Sequence, residues 1–152
     1  MIAIAITLIT FVLMEGVTWL THRFVMHGLL WILHEDHHNK NPENKLEKND
    51  WFFVIFAVPA MFLIGTGTYF PDKANLAFIG AGITMYGMAY FIVHEVIIHR
   101  RFRWLDKSDN VYVRAIRKAH KVHHKHLGKE DGECFGMLLV PVKYFKEAWR
   151  TR

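Results

Sequence analysis

Three apolar stretches divide the chain. Residues 2–20 are apolar apart from threonines and Glu15, residues 51–70 are apolar around Pro59, Gly65 and Gly67, and residues 76–98 carry Gly80, Gly82 and Gly87 among apolar neighbours. Each approaches the ~20 residues a helix needs to cross a hydrocarbon core. Pro59 predicts a kink in the second helix, because it removes one backbone hydrogen bond and crowds the preceding turn. The glycines of the third stretch predict close helix contact. Residues 71–75 read as a short turn. Beyond the third stretch, residues 111–126 predict an amphipathic helix. Residues 137–149 are apolar and basic by turns, and predict an element that lies in the membrane interface or dips into the bilayer. The expected fold is an all-α membrane protein, a single domain over residues 1–152. It has three transmembrane helices, with a fourth short crossing left open, and a histidine-rich helical cap.

Charge sets the orientation. The loop over residues 39–50 carries Lys40, Lys45 and Lys48, the chain from Arg100 onward carries most of the other basic residues, and the turn between the second and third stretches carries only Lys73. The excess of positive charge predicts a cytoplasmic face at that end, with the N-terminus outside. In a bacterium this is the inner membrane. The first stretch has no basic leader region and no small-residue cleavage site, so it reads as a retained span. The chain carries a formal net charge of +5. That basicity faces anionic lipid rather than nucleic acid, since it follows apolar segments. The single cysteine, Cys134, excludes an internal disulfide, a thiolate zinc site and an iron–sulfur cluster.

Histidine is the chemistry that remains. Ten of the eleven histidines fall into two copies of one compound pattern. The first is His22-x4-His27 followed by His34, His37 and His38; the second is His94-x4-His99 followed by His120, His123 and His124. Each copy sits at the end of an apolar stretch, His22 ~30 Å along the first helix and His94 ~27 Å along the third. Both helices run the same way, so both sets reach one interface. Imidazole is the commonest metal ligand, and ten are too many for one ion, so a dimetal centre is expected. Residues at i, i+3 and i+4 share a helix face, so each triplet is expected to close on one metal. Residues at i and i+5 diverge by ~140° on a regular helix. Either the helix unwinds near its end or each member of the pair serves a different metal, and a helix wedged between two metals fits the second option.

Carboxylates near these boxes are candidates for holding the ligands: Glu15, Glu35, Asp36 and Glu95. Glu15 lies one heptad before His22 on nearly the same face. It is expected either to orient a histidine or contact substrate, or to bond Thr18, Thr84 or nearby backbone. Glu95 precedes His99 by four residues. His126 points away from its triplet and reads as solvated. Phe24, Trp31, Phe91, Phe102 and Trp104 are candidates for an apolar channel or for interfacial anchoring. The stretch GKEDGECFG over residues 128–136 reads as a loop that covers the metal face, with Cys134 a packing residue in it.

The boxes HRFVMH from His22, LHEDHHN from Leu33, HEVIIHRRFRW from His94 and KAHKVHHKHLGKEDGECFGML from Lys118 resemble those of the fatty acid hydroxylase superfamily of membrane non-haem diiron enzymes. Within it they resemble the bacterial β-carotene 3-hydroxylases. The likeness covers nearly the whole chain. It implies that the ten histidines bind two iron ions and that O2 supplies an oxygen atom to a ring C–H bond. It also implies a carotenoid substrate taken from the bilayer, with β-carotene hydroxylated at C3 and C3′ to β-cryptoxanthin and zeaxanthin. Electrons are expected from a ferredoxin-type donor docking on Arg100, Arg101 and Arg103. The rival readings are a related membrane lipid hydroxylase or desaturase, and, from another class, a non-catalytic metal-binding membrane protein.

Overall fold

The computed structural model describes residues 1–39, 46–102, 104 and 108–151. Lys40, Lys45 and Arg103 lie outside the described residues. The apolar stretches form α1 (Ile2–Leu20), α3 (Trp51–Tyr69) and α4 (Asn75–Phe91). Two of them continue into segments wound as π-helix: α1 into π1 (Thr21–Leu29) and α4 into π2 (Ile92–Ile98). Between π1 and α3 lies α2 (Trp31–His38), and beyond π2 come α5 (Val111–His123) and α6 (Val142–Arg150). Three continuous helical runs are long and apolar enough to cross a membrane: Ile2–Leu29, Lys48–Tyr69 and Asn75–Ile98. Their outer faces leave large apolar side chains uncovered, Val12 at 68% and Phe62 at 71% exposure, an arrangement suited to lipid and not to water.

Contacts along the helices fix their directions. Thr7 Oγ1 donates to the Phe78 carbonyl at 3.2 Å, and Tyr86 Oη donates to Glu15 at 2.6 Å. Residue numbers rise together on α1 and α4, so these helices run parallel. Gly67 abuts Ala77, and Gly80 abuts Ala60 and Ile64, so α3 runs antiparallel to α4. Parallel α1 and α4 deliver π1 and π2 to the same end. Two of the three glycines expected at close contacts in this stretch are there. Gly87 is the exception, since a Cβ built on it meets nothing within 4 Å. Pro59 sits inside α3, which runs through it unbroken.

The amphipathic helix forms as expected, as Val111–His123 capped by Asn110, whose side chain accepts from the Val113 amide at 2.9 Å. One face of α5 packs Val113 and Ile116 against Val93 and Ile97 of π2 and against Met137. The other packs Ala115 and Ala119 against Tyr144 and Ala148 of α6. At nine residues, α6 is ~14 Å long, half what a crossing requires, so it is not a fourth span. Just before α6 the chain reaches back to α1. Glu15 accepts the backbone N–H groups of Met137 at 3.0 Å, Leu138 at 3.1 Å and Leu139 at 2.9 Å. It lies seven residues, hence ~10 Å, further into α1 than His22. Irregular backbone at that depth needs internal partners, and one carboxylate supplies them for three amides. Of the alternatives for Glu15, bonding to backbone is the one observed, with Tyr86 as the side-chain partner in place of Thr18 or Thr84 and the amides those of a distant segment.

Alanine at position 82 places its Cβ 2.6 Å from Thr10 Cβ and 2.7 Å from the Thr7 carbonyl. Gly82→Ala is expected to lose ~1–3 kcal/mol by overpacking α1 on α4, whereas Gly87→Ala should lose nothing. Thermal unfolding of both variants in detergent micelles checks this; equal Tm values would contradict the packing described.

Candidate metal centre

Two groups of imidazoles converge where π1, α2, π2 and α5 meet. His22, His27, His34, His38 and His123 form the first, and His37, His94, His99 and His120 form the second. Within each group the candidate ligand atoms lie within 4.8 Å of one another, comparable with the ~4.2 Å that two nitrogens span across one ion at ~2.1 Å each. His124 borders the second group, its Nε2 2.8 Å from that of His120 and its ring 4.8 Å from that of His37.

The π winding decides how the x4 pairs behave. In a π-helix the backbone bond spans five residues; here the His99 amide donates to the His94 carbonyl at 2.9 Å. Residues five apart are thereby brought near one another. The rings of His22 and His27 are 5.2 Å apart, and those of His94 and His99 are 4.5 Å apart. Each pair therefore enters one group: of the two alternatives, the change of winding near the helix end is the one observed, and the favoured one, division of the pair, is corrected. Gly28, with φ −130° and ψ −107°, breaks the winding where π1 turns into α2. That backbone conformation is open chiefly to glycine.

The triplets do the reverse. His34 and His38, at i and i+4, face the first group while His37 faces the second. On α5, His120 faces the second group and His123 the first, with His124 beside His120. Neither triplet falls within one group. The first group combines the x4 pair and the i, i+4 pair of one sequence copy with the i+3 histidine of the other; the second combines the x4 pair and His120 of the other copy with His37, and His124 stands at its edge. The two sequence copies thus become two crossed half-sites.

What surrounds the rings fixes their tautomers. Nδ1 of His22 donates to the Phe135 carbonyl at 3.0 Å, that of His27 to Lys129 at 3.1 Å, that of His38 to His126 at 2.9 Å and that of His123 to Glu133 at 2.9 Å. His34 donates to Asn49 Oδ1 at 2.7 Å, His37 to Glu47 at 2.7 Å and His94 to Glu95 at 2.6 Å. Seven Nδ1–H groups are therefore committed, and the corresponding Nε2 lone pairs are left for a ligand. The loop over residues 126–135 does more than cover the site, since four of its carbonyls hold rings.

Two features call for cations. Nε2 of His37 and of His38 is buried without a hydrogen-bond partner. Nε2 of His22 lies 3.2 Å from that of His34, and Nε2 of His27 lies 3.2 Å from that of His123, although all four rings spend their hydrogen at Nδ1. Facing lone pairs repel unless a positive charge sits between them. A proton is a poor candidate, because burial lowers His34 to about 2 and His123 to about 3. A metal ion resolves both the orphaned and the opposed nitrogens, so the donor set fits a bound metal at each group.

The carboxylates divide. Glu95 holds His94, not His99 four residues on, and also accepts from Arg101 at 3.0 Å. Asp36 accepts from the Lys48 amide at 2.6 Å, Glu35 is exposed, and Glu15 is engaged elsewhere, so none of these three holds a ring. Glu47 and Asn49 were not anticipated. The signal for them is local: Glu47 and Asp50 form a reciprocal capping box before α3, the mark of an ordered turn and not of a plain loop. Arg101, expected on a docking face, pairs with Asp50 at 2.9 Å. Trp31 packs on His27 and His38 at 5.2 and 5.4 Å, while Phe91, Phe102 and Trp104 form a separate row. Half-buried Cys134 donates to Tyr144 Oη at 3.3 Å, in keeping with a packing role.

The family model described as fatty acid hydroxylase matches residues 7–143. A β-carotene hydroxylase of Pseudescherichia vulneris is 38% identical over 135 residues, covering 88% of this chain and 74% of its own. One of Paracoccus sp. (strain PC1) is 37% identical over 139 residues, covering 90% and 83%. A chloroplastic β-carotene 3-hydroxylase of Haematococcus lacustris is 38% identical over 132 residues, covering 84% and 40%. No solved structure matches the chain.

Acid should undo this centre. Burial lowers His38 to about 4 and His123 to about 3, from 6.5 in the unfolded chain. Below pH 6.5 the unfolded chain takes up protons that the folded chain refuses, so stability falls with pH by ~1.4 kcal/mol per unit for each such histidine. It is unaffected above that range. Metal-free protein in micelles is expected to show a clearly lower Tm at pH 5.5 than at pH 7.5; a flat profile would contradict neutral, buried rings.

Proposed function

The chain belongs to the fatty acid hydroxylase family, and on that footing we propose that it is a carotenoid ring hydroxylase of the bacterial inner membrane. The reaction proposed is insertion of oxygen from O2 at C3 and C3′ of β-carotene, giving β-cryptoxanthin and zeaxanthin. The observation that carries the reading is the pair of crossed histidine groups at the ends of α1 and α4, in a chain whose relatives are named for this substrate. Two iron ions, held by His22, His27, His34, His38 and His123 and by His37, His94, His99, His120 and His124, would supply the redox chemistry that attack on an unactivated C–H bond demands.

The protein's own part is to hold and to exclude. Seven Nδ1–H bonds hold the rings in one tautomer and one orientation, so that a metal meets a preformed donor set. The loop over residues 126–135 closes one side against water. A polyene is insoluble in water and enters from lipid, which the exposed apolar faces of α1 and α3 adjoin. In this reading Trp31, packed on His27 and His38, and half-exposed Phe24 offer an aromatic surface to the terminal ring. Electrons come from an acidic ferredoxin-type donor, which would meet Lys121, Lys125 and Lys129, exposed on and beyond α5. Charge complementarity of this kind chiefly speeds encounter. The basic face and the histidine groups are assigned to the cytoplasmic side.

Expression in bacterial cells that already make β-carotene tests the reading, beside a His37→Ala/His123→Ala variant that removes one ring from each group. Zeaxanthin and β-cryptoxanthin are expected from the parent alone. Unchanged β-carotene from well-expressed, iron-loaded parent would overturn the substrate assignment.

A further inference from the structure

The inner ligands follow a two-fold pattern, and the partners behind them do not. In the first group all five rings are backed by neutral oxygens: the carbonyls of Phe135, Lys129, His126 and Glu133 and the amide of Asn49. In the second, His37 is backed by Glu47 and His94 by Glu95. The contrast holds at two pairs of counterpart positions. His22 and His94 are counterparts in the two copies, one on a carbonyl and the other on a carboxylate. His123 and His37 are counterparts, divided in the same way. Arg101 ties the acidic side together, reaching Glu95 at 3.0 Å, Asp50 at 2.9 Å and Glu47 at 3.8 Å.

We infer that the two metal positions are electronically inequivalent: the Glu47–Glu95–Arg101 set makes the His37/His94 position the tighter one and gives it the stronger preference for positive charge. This deepens the dimetal reading and rests on it. Histidine ligands are neutral and cancel none of the metal's charge, so the nearest anions are those behind the rings. A carboxylate accepting from Nδ1–H draws the proton away and makes Nε2 a stronger donor, whereas a carbonyl does so more weakly. Both carboxylates are well shielded from water, with side-chain exposures of 6% for Glu47 and 12% for Glu95, so solvent screens their field little. Glu47, Glu95 and Arg101 are positioning residues and touch no substrate in this scheme.

The test is anaerobic titration of metal-stripped protein in micelles with 57Fe(II), against a chromophoric chelator, followed by Mössbauer spectroscopy. The parent is expected to bind two Fe(II) with unequal affinity and to show two distinguishable ferrous sites. Glu47→Gln should weaken one affinity by about 10–100-fold and move one spectral component, leaving the other in place. Asn49→Asp makes the complementary change, adding an anion behind His34, and should tighten the weaker affinity. It also carries the test should Glu47→Gln fail to fold. Equal parent affinities, or variants that move both components together or neither, would overturn the inequivalence. A parent that binds no iron pair would instead remove the dimetal reading itself.

Discussion

A histidine can offer a metal only the nitrogen that is not carrying its hydrogen, and the hydrogen bond at the far nitrogen decides which one that is. In this molecule the bond from Nδ1 organises everything around it. Four such bonds reach backbone carbonyls between residues 126 and 135, and so a loop with no regular structure must hold one path. Two more reach Asn49 and Glu47, and so the turn before α3 must be ordered. The loop and the turn are shaped by the rings they restrain. Conversely, with Nδ1 committed, opposed Nε2 atoms 3.2 Å apart make the protein without a cation electrostatically unfavourable at its centre. The same bonds that prepare a site for metal make it costly to leave unfilled.

The π windings answer a problem of register. An α-helix cannot aim residues i and i+5 at one point, and both long helices end in such a pair. Winding the last turns with five-residue bonds brings each pair together, at the expense of weaker backbone geometry. It confines that expense to the ends of the spans, where α1 and α4 have already packed. The parallel packing of those helices, set by Thr7, Gly82, Glu15 and Tyr86, puts the two windings side by side.

Much of this was legible in the sequence because hydrophobicity and ligand chemistry are properties of residue types. The three long helices, the amphipathic α5 and the gathering of ten histidines at one end follow from composition along the chain. The division of those histidines does not. It depends on a 3.6-residue period giving way to a longer one at Thr21 and Ile92, and nothing in the local residues distinguishes that winding from α-helix. The triplets misled for a related reason. His34, His37 and His38 share a helix face, but a face is about a third of a circumference, wide enough to border two ions. Backbone carbonyls behind rings are invisible to any reading of side chains, which is why residues 128–136 read as a cover and not as a scaffold. Glu15 shows the opposite case. A carboxylate inside a span leaves a functional and a bonding reading open, and here it satisfies three amides and a tyrosine.

That placement of Glu15 bears on the centre all the same. The chain leaving the ring-holding loop is fastened to the α1–π1 run twice, once where Phe135 accepts from His22 of π1 and again where Met137, Leu138 and Leu139 donate to Glu15 of α1. The two fastenings lie seven residues apart on one helix. Together they set the height and direction of the segment between them, which a single bond would leave free to swing. Gly136 lies between the two, so tightly placed that a Cβ there would meet the Leu139 carbonyl, and Phe135 is itself buried against the rings of His22, His27 and His123. The carbonyl that holds His22 is thus positioned by a carboxylate two turns of helix away, and a residue that touches no ligand helps decide where a ligand points.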